Sequence, residues 1–301
     1  MKFSRNNWQI AKRLSRRDFL KLVKAGVIEL ALLAVGGSIY SFLIEPRLIK
    51  VESVKLRLRR LAPEFSGIRM VQVSDIHMGR WMNAERLQDI VELIIEQKPD
   101  LVLFTGDFLI GRAYDADSER NVRDLITILT PLAASIPSYG ILGNHDYWTN
   151  PAAIRKMLHS CNIMDMTNKA ITLTRGAEKL YICGVDDVWE GDVRLENVLT
   201  QIEDDGAAIL MAHEPDYADV SALTGRFDLQ VSGHSHGGQV VLPFLGPPVL
   251  PHLGRKYPGG LYQVRDMYQY TSRGVGMGRI PIRFNCPPEI TVFTLSSEKD
   301  A

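Results

Sequence analysis

The chain has 301 residues, 46% hydrophobic and 23% charged, with a formal net charge of zero. That is an ordinary globular mix, long enough for one large domain or two small ones, and without a basic excess it excludes a nucleic-acid surface. Three cysteines, Cys161, Cys183 and Cys286, are odd in number and form no CxxC pair, so a disulfide framework or zinc ribbon is not expected and they read as buried thiols or bystanders.

Residues 1–24 form a basic leader, in which Lys2, Arg5, Lys12, Arg13, Arg16, Arg17, Lys21 and Lys24 face a single acid, Asp18. Residues 25–44 are apolar apart from Glu29 and a few small polar side chains. Twenty helical residues at about 1.5 Å each span roughly 30 Å, the hydrocarbon thickness of a bilayer. A buried core helix is the alternative, against which the basic flank, the terminal position and the Gly36-Gly37 pair all weigh. Positive charge before the span predicts a cytoplasmic N-terminus, with the rest of the chain on the outer side of a bacterial inner membrane. The stretch "SRRDFLK", Ser15 to Lys21, resembles the twin-arginine export motif, which implies the twin-arginine machinery as a partner and export in the folded state. No small-x-small cleavage site follows in "SIYSFLIEP", so an uncleaved anchor is expected rather than a removed signal. If the motif is coincidental, the domain faces the cytoplasm instead.

Beyond Val51, short apolar runs alternate with amphipathic stretches. "IRMVQVSD" reads as a buried strand ending at Asp75. "NAERLQDIVELIIEQ" carries Leu87, Ile90, Val91, Ile94 and Ile95 at helical spacing, with Asn83 as its cap. "PDLVLFTGD" is a strand ending at Asp107, "SERNVRDLITILTPLA" a helix, "SYGILGNHD" a strand and "AAIRKMLHS" a helix. "AAILMAHEP" and "FDLQVSGHSH" are strands ending at His213 and at His234 to His236. From "GGQVVL" through "LYQV", "MYQYTS" and "EITVFTL" the pattern is plain strands and turns. This order predicts a single layered α/β domain over residues 51–297, with a second sheet packed on the first. The Pro- and Gly-rich "PFLGPPVLPHLGRKYPGG" is too long for a tight turn and reads as a functional or covering loop.

The unusual polar residues fall just past predicted strand ends: Asp75 and His77, Asp107, Asn144 and His145, His213, His234 and His236. Ligands bind at that edge in layered α/β folds. Five of the seven histidines belong to this set; His159 and His252 do not. Taken singly, each piece has a bland reading: Gly143-Asn144-His145-Asp146 is a plausible solvated turn, and a lone Asp-x-His or "TGD" is weak. Together, carboxylate, imidazole and amide oxygen suit Mn, Fe or Zn, and seven such groups suit two divalent metals bridged by a carboxylate.

The ordered set DxH, GD, GNHD, H and GHxH resembles the calcineurin-like metallophosphoesterases from Val71 to His236. That resemblance implies a four-layer α/β/β/α sandwich. It also implies one metal on Asp75, His77 and His236, a second on Asn144, His213 and His234, and Asp107 bridging them. His145 would be the acid that reaches the phosphate, Gly143 the residue that lets the chain turn, and Asp146 the group that orients His145. The implied reaction is attack of a metal-bridging hydroxide on phosphorus, with His145 protonating the leaving oxygen. Downstream, "GGQVVLPF", "GLY" and "SRGVGMGRIPIRFNCPPEI" resemble the membrane-anchored bacterial branch of the family. Members of that branch are phosphodiesterases, some acting on lipid-linked phosphates, and a related group cleaves the pyrophosphate of UDP-2,3-diacylglucosamine. The expected substrates are therefore lipid-linked phosphodiesters or pyrophosphates, with soluble diesters or monoesters as the alternative. A non-catalytic metal-binding module is a further alternative, although no ligand position is lost. Trp81, Tyr147 and Trp148 could flank an apolar substrate or simply pack. Arg80 and Arg112 could hold a second phosphate or be surface charge.

Overall fold

The computed structural model describes residues 15–111 and 113–300. It opens with a helix, α1 (Arg16–Ile39), capped by the Ser15 hydroxyl, which accepts the Asp18 amide at 3.2 Å. A π turn (Tyr40–Ile44) and a 3-10 turn (Glu45–Arg47) extend it, so the helix takes in Arg16 and Arg17 as well as the apolar run. None of α1 is buried, and the 32 residues Arg16–Arg47 are long and apolar enough to cross a membrane.

The rest is built from β1 (Lys50–Leu58), β2 (Arg69–Val73), α2 (Ala84–Glu96), β3 (Leu101–Thr105), α3 (Ala116–Ser135), β4 (Ser138–Ile141), α4 (Asn144–Thr149), α5 (Pro151–Ser160) and β5 (Met164–Asp165). There follow β6 (Lys169–Arg175), β7 (Glu178–Gly184), α6 (Leu195–Leu199), β8 (Ala207–Met211), α7 (Ala218–Ser221), β9 (Leu229–Ser232), β10 (Gly260–Val264), β11 (Met267–Thr271) and β12 (Glu289–Ser297). Helix α2 starts where expected: the Asn83 side chain accepts the Arg86 amide at 3.0 Å, and Leu87, Ile90, Val91 and Ile94 form the buried stripe. Ile95 falls outside the stripe, at 50% exposure.

Two six-stranded sheets stack face to face, one in the order β1-β12-β2-β3-β4-β5 and the other β10-β11-β9-β8-β7-β6. Strand alternation sorts their side chains into three cores. Met70, Leu101 and Leu103 meet Ile209, Val231 and Leu180 between the sheets. Val71, Val102 and Phe104 turn outward under Leu87, Leu125 and Leu158 of α2, α3 and α5. Tyr181, Ala208 and Leu210 face Val198 and Ala218 of α6 and α7. The fold is therefore a four-layer α/β/β/α sandwich. The three cysteines are buried free thiols.

Two sequence expectations change. "GGQVVL" is not a strand: His236–Gly238 makes a 3-10 turn, and Val240 and Leu242 form only isolated bridges to Phe284 and Gly246. Strands β1, β5, β6 and β7, which the hydrophobic runs did not single out, complete the sheets. Strand β1 pairs in parallel with β12 over Lys50–Leu58, and β6 forms an antiparallel hairpin with β7 through Gly176.

Candidate metal centre

In the first sheet β2, β3 and β4 are adjacent and parallel, and so are β8 and β9 in the second. Their C-terminal ends lie at one edge of the sandwich. Asp75 and His77 follow β2, Asp107 follows β3, Asn144 and His145 open α4 after β4, His213 follows β8, and His234 and His236 follow β9. Asp75, His77, Asp107, Asn144, His213, His234 and His236 are all buried. Five of these seven, Asp75, His77, Asp107, His234 and His236, have positive φ, between 50° and 70°. That region is uncommon for any residue with a Cβ, and such strain collects at functional sites.

The donor atoms converge. Asp107 Oδ2 lies 3.5 Å from His77 Nε2 on one side and 3.3 Å from His213 Nε2 on the other. Asp75 Oδ1 is 3.3 Å from His236 Nε2, which faces His77 Nε2 at 2.9 Å. His234 Nδ1 is 2.9 Å from the Asn144 Oδ1 amide oxygen. Two tautomers follow from the outer contacts. His213 Nδ1 donates to Thr105 O at 2.6 Å, which leaves Nε2, a buried atom without a hydrogen-bond partner, aimed at Asp107. His234 Nε2 donates to His252 O at 2.7 Å, which leaves the Nδ1 lone pair towards Asn144.

Burial and neighbouring charge set the protonation of each donor differently. Burial holds His77 down at about 3 and His236 well below the usual imidazole range, so both present neutral lone pairs. Burial would raise Asp107, but His213 and His145 outweigh it and hold the carboxylate well below its ordinary value. Burial likewise opposes charge on His213, yet Asp107 raises it well above the imidazole range. Asp75 is pushed up to about 7 by burial, against the pull of His213 and with the charge of Asp107 adding. An orphaned imidazole nitrogen, two facing imidazoles and two buried carboxylates form a donor set that a divalent cation satisfies, because metal ligands must be unprotonated.

His145 stands beside this set. Its amide donates to Asp107 Oδ1 at 2.8 Å, its ring packs edge-on against His77 at 4.7 Å, and its buried Nδ1 has no partner. Asp146 does not orient it. Both Asp146 oxygens are occupied by backbone amides, Phe108 at 2.9 Å and Leu109 at 3.2 Å on Oδ1 and Gly143 at 3.1 Å on Oδ2. This carboxyl, pushed up to about 7 by burial and the nearby Asp107, clamps the loop after β3 to the start of α4. Gly143 also differs from expectation: its φ of −117° suits any residue. What requires glycine is space, since a Cβ there would strike the Asp107 carboxylate and lie 2.7 Å from His213 Cε1.

A cavity of about 1180 Å³ opens over the centre, lined by Asp107, Asn144, His145, His234 and His236 together with Arg80, Trp148, Trp189, Val249 and Ile280. Trp148 and Arg80 thus reach the site. Trp81 instead packs beside the helical core under Arg86, and the Tyr147 hydroxyl donates to Asp186 at 2.6 Å. Arg112 lies outside the described residues. Sequence reading missed Trp189, whose ring meets Trp148 at 5.4 Å and His234 at 5.9 Å. It also missed Glu214, buried beside His213 and His234, and Asp187, pushed up to about 10 by burial and by Glu214. None of the three stands in a motif; "HEP" and "DDVW" were the only cues.

Strand-end histidines and carboxylates on a four-layer sandwich define a metal-dependent phosphoesterase. The family model described as calcineurin-like phosphoesterase matches residues 68–238, and the chain belongs to that family. Among its relatives, an uncharacterized metallophosphoesterase, YkuE, of Bacillus subtilis is 36% identical over 95% of this chain and 99% of its own length. Phosphodiesterase YaeI of Escherichia coli is 29% identical over 94% of this chain and 99% of its own. A transmembrane protein with metallophosphoesterase domain from Danio rerio is 31% identical over 82% of this chain and 57% of its own.

Proposed function

We propose that the chain is a membrane-anchored phosphodiesterase acting on lipid-linked phosphodiesters or pyrophosphates. In this reading residues 1–24 are a cytoplasmic leader carrying a twin-arginine signal, residues 25–44 an uncleaved span, and residues 51–297 the catalytic domain on the outer side of a bacterial inner membrane. The exposed apolar helix and the transmembrane relative support anchoring, and the relative named a phosphodiesterase supports the reaction class.

Asp75, His77 and His236 would hold one divalent metal, Asn144, His213 and His234 the other, and Asp107 both. When bound, the pair would activate water as the nucleophile and neutralise charge growing on the phosphoryl oxygens. The chain's own residues do the rest. Thr105 O and His252 O fix the ring orientation of His213 and His234. His145, tethered through its amide to Asp107, donates a proton from its ring to the leaving oxygen.

The observation that carries the lipid reading is the cavity. It joins the ligand set to the apolar wall of Trp148, Trp189, Val249 and Ile280, and far exceeds the room an inorganic phosphate needs. The test compares the full chain in detergent, loaded with Mn²⁺, on a water-soluble aryl phosphodiester and on phospholipid or lipid pyrophosphate in mixed micelles. Faster micellar turnover is expected. Turnover of the soluble diester alone would contradict the lipid reading and leave the soluble-diester alternative.

A further inference from the structure

Phe244, Leu245 and Val249, at 108%, 82% and 74% exposure, are the most exposed large apolar side chains among the described residues, exceeding every residue of α1. They lie in the Pro- and Gly-rich loop after the GHSH motif. Phe244 and Leu245 form the tip of a tight turn closed by Leu242 and Gly246, whose amides and carbonyls pair at 3.0 and 2.9 Å. Turn tips in water favour Gly, Asn, Asp and Ser, and a phenylalanine at a φ of 66° is a genuine outlier. Pro243 and Gly246 suit the turn, but water gives no reason for Phe244 and Leu245 at its tip.

Hydrogen bonds tie this turn to the foot of the anchor. Val241 donates to Phe284 O at 2.8 Å, and Phe284 donates to Gln239 O at 2.9 Å. One residue earlier, Arg283 donates its amide to Ser41 O at 3.0 Å. The buried Glu45 carboxylate accepts the Asn285 amide at 2.9 Å and the Cys286 amide at 2.5 Å. Only Leu48 and Ile49 separate the end of the anchor from β1, so the domain has no slack to drift from a bilayer that holds the helix. The Gln239 side chain donates to Ile280 O, bringing the exposed Ile280 to the same side. Gln239, Val249 and Ile280 also wall the cavity over the metal centre.

We propose that Phe244, Leu245, Val249 and Ile280 form a second membrane contact, a rim inserted into the lipid interface, so that the catalytic cavity opens onto the headgroup layer. The inference rests on the reading of Arg16–Arg47 as an anchor and deepens the lipid reading of the cavity. Exposed Arg279, next to Ile280, and exposed Arg47 and Lys50, at the foot of the helix, suit the phosphates of that layer.

The test uses the full chain in nanodiscs of phosphatidylethanolamine and phosphatidylglycerol. Phe244→Cys, Leu245→Cys and Ile280→Cys carry an environment-sensitive fluorophore; the native cysteines are buried and do not compete for label. Leu223→Cys, exposed just before β9 at the opposite edge, is the apolar control, and unchanged melting temperatures confirm folding. At 244, 245 and 280 the emission should shift to the blue and be quenched by lipids spin-labelled near the headgroup, while at 223 it should do neither. Quenching at the rim no stronger than at 223 would overturn the proposal. So would shielding at 244 that persists in detergent and ignores spin-labelled lipid, because that marks a protein partner. The readout is position, not turnover: rim quenching without hydrolysis of any lipid would leave this contact standing and remove the lipid-substrate reading.

Discussion

Glu45, the acidic residue at the foot of the apolar helix, is buried at 1% exposure and accepts the backbone amide of Asn285 at 2.9 Å. The segment it grips is continuous with the site. The fully buried Arg283 donates to Arg273 O at 2.8 Å and Gly274 O at 3.1 Å, and Gly276 in turn donates to Asp75 O at 2.8 Å. The apolar helix and the candidate metal centre are thus joined through one hydrogen-bonded network.

Removing that acceptor should be costly, because the Cys286 amide would stay buried and unpaired. Glu45→Ala is expected to destabilise the full chain by about 1–3 kcal/mol, and Glu45→Gln, which keeps one acceptor, by less. Denaturant unfolding in detergent measures both, and equal effects would contradict the two-amide grip.

In the proposed assignment His145 stands beside the ligand set and is not itself a ligand. His145→Ala is expected to keep its bound metal and lose about 10²–10⁴-fold in kcat on esters with poor leaving groups, with a smaller loss on aryl esters that need no proton. A uniform loss across leaving groups would show that the ring does something other than protonate.

Gly143 is a matter of volume. Gly143→Ala should drive a methyl group into the Asp107 carboxylate and weaken metal binding while α4 still forms, since its φ and ψ are ordinary. Calorimetric metal titration with circular dichroism on the same sample separates the two effects.

Metal affinity should depend on pH with a definite sign. In the metal-free fold Asp75 is raised to about 7, so below that pH a proton competes with the cation, and above it the carboxylate is free. Affinity should fall as pH drops from 8 to 6, approaching about tenfold per pH unit for each proton displaced. Titrations in buffers of different ionisation enthalpy should show protons released on binding at pH 6 and fewer at pH 8.

Much of this centre was legible because parallel strands deliver their C-terminal residues to one edge. Asp75, Asp107, Asn144, His213 and His234 could be placed from where the apolar runs stop. Asp146 was misread because adjacency to His145 in sequence suggested adjacency of side chains, whereas the third position of a helix turns its carboxylate back to the N-cap amide. Edge strands β1 and β6 were missed because one face of each is solvated and polar, Lys55 and Arg57 on β1 and Thr172 and Thr174 on β6, which dilutes an apolar run though not its alternation. Trp189, Asp187 and Glu214 reach the site only through packing of the second sheet's loops, which leaves no local pattern. The docking of Glu45 was equally hidden, being a contact between residues 240 positions apart.

The most direct test of the proposed dinuclear site is the metal content and turnover of wild type and Asp107→Ala after Mn²⁺ loading, using a soluble aryl phosphodiester. If Asp107 bridges two metals, wild type should hold two per chain and turn over, while the variant should hold fewer and be inactive. Two metals and retained turnover in Asp107→Ala would contradict the bridge and the chemistry built on it.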